Sequence, residues 1–117
     1  MRCALSLLIL LAVAGCAEEH KPFLPTTEQS EASDRDAKCL WEAAKSSDDH
    51  ISDASTIGLA IIPMCAADFQ RSLDALTQNM SLQEKVIFLR QARAQRLELA
   101  TAAVVKSRQA SAALGAR

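Results

Sequence analysis

From Ser81 to Leu114 the chain contains no Gly and no Pro. Apolar residues at helical spacing along this run make one long helix the expectation. The residues at its start select the helix. Ser81-Leu82-Gln83-Glu84 is a capping box, in which a hydroxyl and a carboxylate reciprocally satisfy free N–H groups. Gly115 lies just past the far end, where helices commonly stop. At 1.5 Å per residue such a helix is roughly 50 Å long. Leu82, Val86, Leu89, Ala92, Leu99/Ala100, Ala103 and Ala110 recur at helical spacing and mark its expected apolar stripe. Its Ala-rich end is expected to project beyond the bundle, to pack on a second copy or to fray.

Two further helices precede it. Ser33 is a suitable N-cap, and Asp34 and Asp36 suit the positive end of a helix dipole, so the first helix is expected from Asp34 to about Ser47. Ser46 to His50 is a polar turn. Ser52-Asp53 starts a second helix whose apolar residues repeat from Ile57 to Leu76. Pro63 falls inside that repeat. Because the stripe keeps its phase, a kink near Leu59 to Pro63 is expected, with a true break as the alternative. No alternating strand pattern occurs. The expected fold class is all-α, a small three-helix bundle made of a helical hairpin and a long third helix, with short loops placing neighbours antiparallel.

The start of the chain has a different character. One Arg is followed by Ala4 to Val13, apolar except for Ser6. That is the pattern of an export signal, and the apolar run is shorter than the ~20 residues a membrane-spanning helix needs. It ends in Val13-Ala14-Gly15-Cys16, which resembles the lipobox of bacterial lipoproteins: an aliphatic residue, two small residues, then Cys. The resemblance implies cleavage before Cys16 and acyl chains on its sulfur and freed amino group. One chain holds a protein to a bilayer only reversibly, whereas two or three make release negligible. Ala17 follows the cysteine, where lipoproteins kept in the inner membrane of enteric bacteria usually carry Asp. The implied location is therefore the cell envelope, facing the periplasm, with the outer membrane favoured over the inner.

The resemblance also simplifies the four cysteines. Cys3 would leave with the leader and Cys16 would be acylated. Cys39 and Cys65 remain, in an oxidising compartment, and are expected to form a disulfide. Closing a loop of that length stabilises a fold by about 3.5 kcal/mol on the chain-entropy estimate. The 25 residues between them are too many for a redox-active C-x-x-C pair. Cys39-Leu40, Ser52-Asp53-Ala54, Thr56-Ile57, Ala60-Ile61 and Cys65 also resemble small exported proteins of proteobacteria that pair two cysteines across a helical hairpin. The resemblance covers about thirty residues and brings no activity with it. The domain reading is a signal peptide at 1–15, a flexible tether at 16–33 and a helical domain at 34–114.

Candidate chemistry is sparse. Only two histidines and three glycines occur, with no G-x-S-x-G and no Gly-rich phosphate loop. His20 lies in the tether. Enzymatic function, a cofactor and a bound metal are not expected. His50 sits in Asp48-Asp49-His50-Ile51-Ser52-Asp53, a turn that could hold a small ligand or metal ion if its groups converged. Residues 17–80 carry 12 acidic and 5 basic side chains, whereas residues 81–117 carry 2 and 7. Arg90, Arg93 and Arg96 on the long helix are the candidate partner-binding residues, with an envelope protein or a second copy as the partner. Nucleic acid is not expected, because no aromatic platform interleaves these charges. The reading is a membrane-anchored, non-enzymatic interaction or structural module, with ligand binding at the Asp48–Asp53 turn as the alternative. The mature protein is expected to begin at an acylated Cys16. Intact-mass spectrometry of the purified product tests this, and a retained leader or an unmodified N-terminus would refute it.

Overall fold

In a computed structural model, which describes residues 24–115, the first helix starts earlier than the expected Asp34. Helix α1 spans Thr27–Ser47. Its cap is Thr26: the Gln29 backbone N–H donates to the Thr26 hydroxyl at 3.2 Å, and the Thr26 N–H donates to Gln29 Oε1 at 2.9 Å. Residues 27–33, expected as tether, are therefore helical. Ser33 is inside the helix, its hydroxyl 3.4 Å from that of Ser72. The rest of the expected tether before residue 24, the leader and Cys16 lie outside the described residues.

The expected kink is a break. Helix α2 covers Ala54–Ile61, a 3-10 turn covers Pro63–Cys65, and helix α3 covers Ala66–Thr77. Proline has no N–H and its ring crowds the carbonyl four residues earlier, so the helical ladder stops. The chain tightens instead, with the Cys65 N–H donating to the Ile62 carbonyl at 3.3 Å. Helix α4 then runs over Leu82–Gly115, 34 residues. Its capping box forms as the sequence predicts, with the Ser81 N–H 2.8 Å from Glu84 Oε2. The described residues are all-α and contain no strand.

Three pairs of contacts fix the direction of α3. Gln29 Nε2 donates to the Ala75 carbonyl at 3.2 Å, Ser33 meets Ser72, and Cys39 is bonded to Cys65 with Cα atoms 5.8 Å apart. As the number rises on α1 it falls on α3, so the two are antiparallel. Helix α4 behaves differently. Arg96 binds Asp36 and Arg108 binds Asp48, each 60 residues apart in sequence. Advancing along one helix advances along the other, so α1 and α4 are parallel. Short loops do make chain neighbours antiparallel, and α1 and α4 are not chain neighbours.

The core is thin. It consists of Leu40, Ala43, Ala44, Ile57, Ile61, Cys65, Ala100 and Val104, contributed by α1, α2, the 3-10 turn and α4. Alanine at three of these positions lets the helix backbones approach closely. On α4 the buried face is Arg96, Ala100, Val104 and Ser107. The predicted stripe is right at Ala100, while Leu82 is 81 % exposed and Val86 about half exposed. Both ends of α4 extend past the core, since the residues from Gln109 to Gly115 are also exposed.

Helix α2 comes close to α4 at Gly58. A Cβ there would stand 2.9 Å from the Thr101 hydroxyl and 3.1 Å from the Thr101 backbone nitrogen. Backbone cannot yield as a side-chain tip can, so the two helices would have to separate. Gly58→Val is expected to lower stability by about 1–3 kcal/mol. Urea unfolding followed by circular dichroism measures this, and an unchanged midpoint would contradict the contact.

Candidate functional site

Two places were plausible from the sequence, the Asp48–Asp53 turn and the basic face of the long helix. In the turn every carboxylate is already occupied. Asp48, its side chain 1 % exposed, accepts from Arg108 Nη2 at 2.7 Å and Nε at 2.9 Å, a bidentate pair. It also accepts the His50 backbone N–H at 3.0 Å, and His50 Nδ1 lies 3.3 Å away. Asp49 accepts the N–H groups of Ile51 and Ser52, and the Ser52 hydroxyl at 2.6 Å. Asp53 caps α2, accepting from the N–H and hydroxyl of both Ser55 and Thr56. Arg108 Nη2 also donates to the Ser52 carbonyl at 2.7 Å, tying the turn to α4. His50 holds φ of 58°, the left-handed region that His enters more readily than most residues.

These bonds favour the charged carboxylates. The Arg108 guanidinium holds Asp48 far below the ordinary Asp range, and Asp48 in turn raises Arg108. The Ser52 hydroxyl lowers Asp49, and the Ser55 N–H leads the groups that lower Asp53 to about 2. Among the described residues no three His, Cys, Asp or Glu side chains converge as metal ligands. The turn is thus built as a clasp between α1, α2 and α4.

The basic face is divided. Arg90 and Arg93 are exposed. Arg96 is not available to a partner. Its side chain is 5 % exposed, it donates to both Asp36 oxygens at 2.6 and 2.7 Å, and its guanidinium sits 4.1 Å from the Phe69 ring centroid. A cation over a ring face gains from the ring quadrupole. One side chain on α4 therefore holds α1 and α3 together. Its Nε has no acceptor among the described residues. Lone arginines at three-residue spacing look alike in sequence, and only tertiary packing separates a buried one from its exposed neighbours.

The structure shows a third feature that the sequence reading missed. Helices α3 and α4 diverge, and between them lies a groove of about 540 Å³ floored by α1. That volume is within the ordinary range of ligand sites, about 300–1,000 Å³. Trp41 and Leu40 on α1, Phe69 and Leu76 on α3, and Phe88 and Leu99 on α4 line it. Trp41, Phe69 and Phe88 are all the aromatic residues in the described part of the chain. The signal was present in the sequence. Phe88, Ala92, Gln95, Leu99, Ala102 and Lys106 recur at alternating spacings of four and three, and all six line the groove. This stripe is distinct from the buried face of α4. Compared with models of protein families, with curated proteins and with solved structures, the chain matches none.

The Asp48 clasp makes a pH-dependent contribution of definite sign. A carboxylate held below its unfolded value, near 3.9, stabilises the fold above that value. The contribution is lost as pH falls from about 5 toward 2. Asp48→Asn is expected to lower the melting temperature at pH 7 and to flatten its fall in acid. Thermal melts of both proteins from pH 2 to 7 measure this, and parallel acid limbs would refute it.

Proposed function

We propose that the mature chain is a lipid-anchored module of the bacterial cell envelope that binds another envelope component and catalyses nothing. Acyl chains on Cys16 attach it, it faces the periplasm, and Ala17 favours the outer membrane. The anchor rests on the Val13-Ala14-Gly15-Cys16 motif. The binding role rests on one observation: the described aromatic side chains line an open groove instead of filling the core. Burying such a surface against water is favourable by about 25 cal/mol for each Å² covered. A chain with so few large apolar side chains gains stability by enclosing them, and here they flank an open cleft. Exposed Leu82, Val86, Ile87 and Leu99 extend the apolar character along α4.

This reading assigns Arg90 and Arg93 to steering an approaching partner and leaves Arg96 to the fold. It also assigns the Cys39–Cys65 bond a structural part, since Cys65 is buried in the turn that starts α3. A photo-reactive amino acid placed at Phe88 or Leu99 in living cells is expected to give a discrete cross-linked species. The same group at Glu42, exposed and outside the groove lining, is expected to give none. Equal yields at the three positions, or none in the groove, would refute the reading.

A further inference from the structure

We infer that the groove accepts one amphipathic α-helix, supplied by a different protein, with carboxylates at both ends of its apolar stripe. The inference rests on the groove being a binding surface, as proposed above, and names what fills it. Three observations carry it.

The first is the repeat. Phe88, Ala92, Gln95, Leu99, Ala102 and Lys106 follow the heptad rhythm that presents a seam of α4 to a neighbouring helix. Ala92, Ala102 and Ala103 are small, which lets another helix backbone come close. The opposite wall, on α1 and α3, supplies Trp41, Phe69 and Leu76. The groove is thus flanked by a helix that already carries the matching period. The second is Gln95, in the middle of that seam with Gln91 beside it, both solvent-exposed. Covering these amides with a hydrocarbon chain would leave them without hydrogen-bond partners. A helix can answer them with side chains of its own, and a polar residue in such a seam sets register.

The third is charge. The groove lining on α4 ends in Lys106, and continuing the rhythm backward from Phe88 and Ala92 gives Lys85, one turn before the lining starts. The two lysines are separated by three heptads, about 31 Å along the axis. The ion pairs among the described residues join other groups and leave both lysines without an acidic partner. Asp36, the carboxylate lining the groove, is held by Arg96. Carboxylates at both ends of the incoming helix complete the match. A second copy of this chain offers lysines at the ends of its own stripe, which argues against self-pairing.

Trp41 is the sole tryptophan and lines the groove, so its emission reports occupancy. The probe is a synthetic 24-residue helix without Trp, carrying Leu at its heptad seam and Glu at both ends. Titrated into the purified protein, it is expected to shift Trp41 emission to shorter wavelength and to saturate. The double variant K85Q/K106Q, with unchanged circular dichroism, is expected to bind it about two- to thirtyfold more weakly, the range two exposed ion pairs supply. The same peptide with Lys ends is expected to bind more weakly to the unaltered protein. Equal binding of the two peptides overturns the inference, as does the absence of saturation with either. Displacement of the Glu peptide by palmitate, or concentration-dependent dimers abolished by Leu99→Asp, overturns it in favour of a lipid or a second copy. Groove cross-links in cells alongside any of these failures would leave the binding role standing and remove only this occupant.

Discussion

The fold turns on a charge placed where a small core would ordinarily put a leucine. Arg96 reaches from α4 to the Asp36 carboxylate on α1 and lies over the Phe69 ring on α3. Few large apolar side chains are available, so the guanidinium supplies both the volume and the attraction that join three helices. A buried pair of this kind adds little net stability compared with a well-packed apolar substitute, but losing one partner is severe, about 3–5 kcal/mol. What it provides is definition. Twelve residues further along both helices, Arg108 and Asp48 repeat the arrangement, and the two pairs together fix α4 in parallel register with α1.

Much of the local structure was legible in the sequence. The Ser81–Glu84 box, the Asp53 cap and the Cys39–Cys65 pair all involve groups whose partners are near in sequence or limited by number. Thr26–Gln29 is a signal of the same kind, masked by the polar, proline-containing stretch around it, which reads as tether. The break at Pro63 is hidden in the sequence because a preserved apolar phase says nothing about whether the hydrogen-bond ladder continues through it. The long-range pairings were not legible at all. Asp36 and Asp48 are two of many acids on the first half of the chain, and nothing local distinguishes those that find an arginine 60 residues away.

Helix α4 shows why the groove escaped notice. Its buried face includes Arg96 and Ser107, while the groove face mixes Phe88 and Leu99 with glutamine and alanine. Hydrophobic periodicity is a contrast measurement, and here neither face contrasts strongly with the other. A stripe chosen by apolarity alone ran through Leu82 and Val86, which stand in solvent. The surface matters for function because α2 and α3 take different partners after Pro63. Helix α2 packs on α4 while α3 packs on α1, and the space left between α3 and α4 is the groove.

The parallel arrangement of α1 and α4 has an electrical consequence. Peptide dipoles add along each helix, giving roughly half a positive charge at the amino end and half a negative charge at the carboxyl end. Antiparallel neighbours cancel these fields, and the carboxyl end of α3 lies beside the amino end of α1, so of the two parallel amino ends of α1 and α4 one is offset. Their amino ends lie toward the same pole of the molecule. Glu28 in the first turn of α1 and Glu84 in the first turn of α4 set carboxylates against these amino ends, where the dipole favours negative charge.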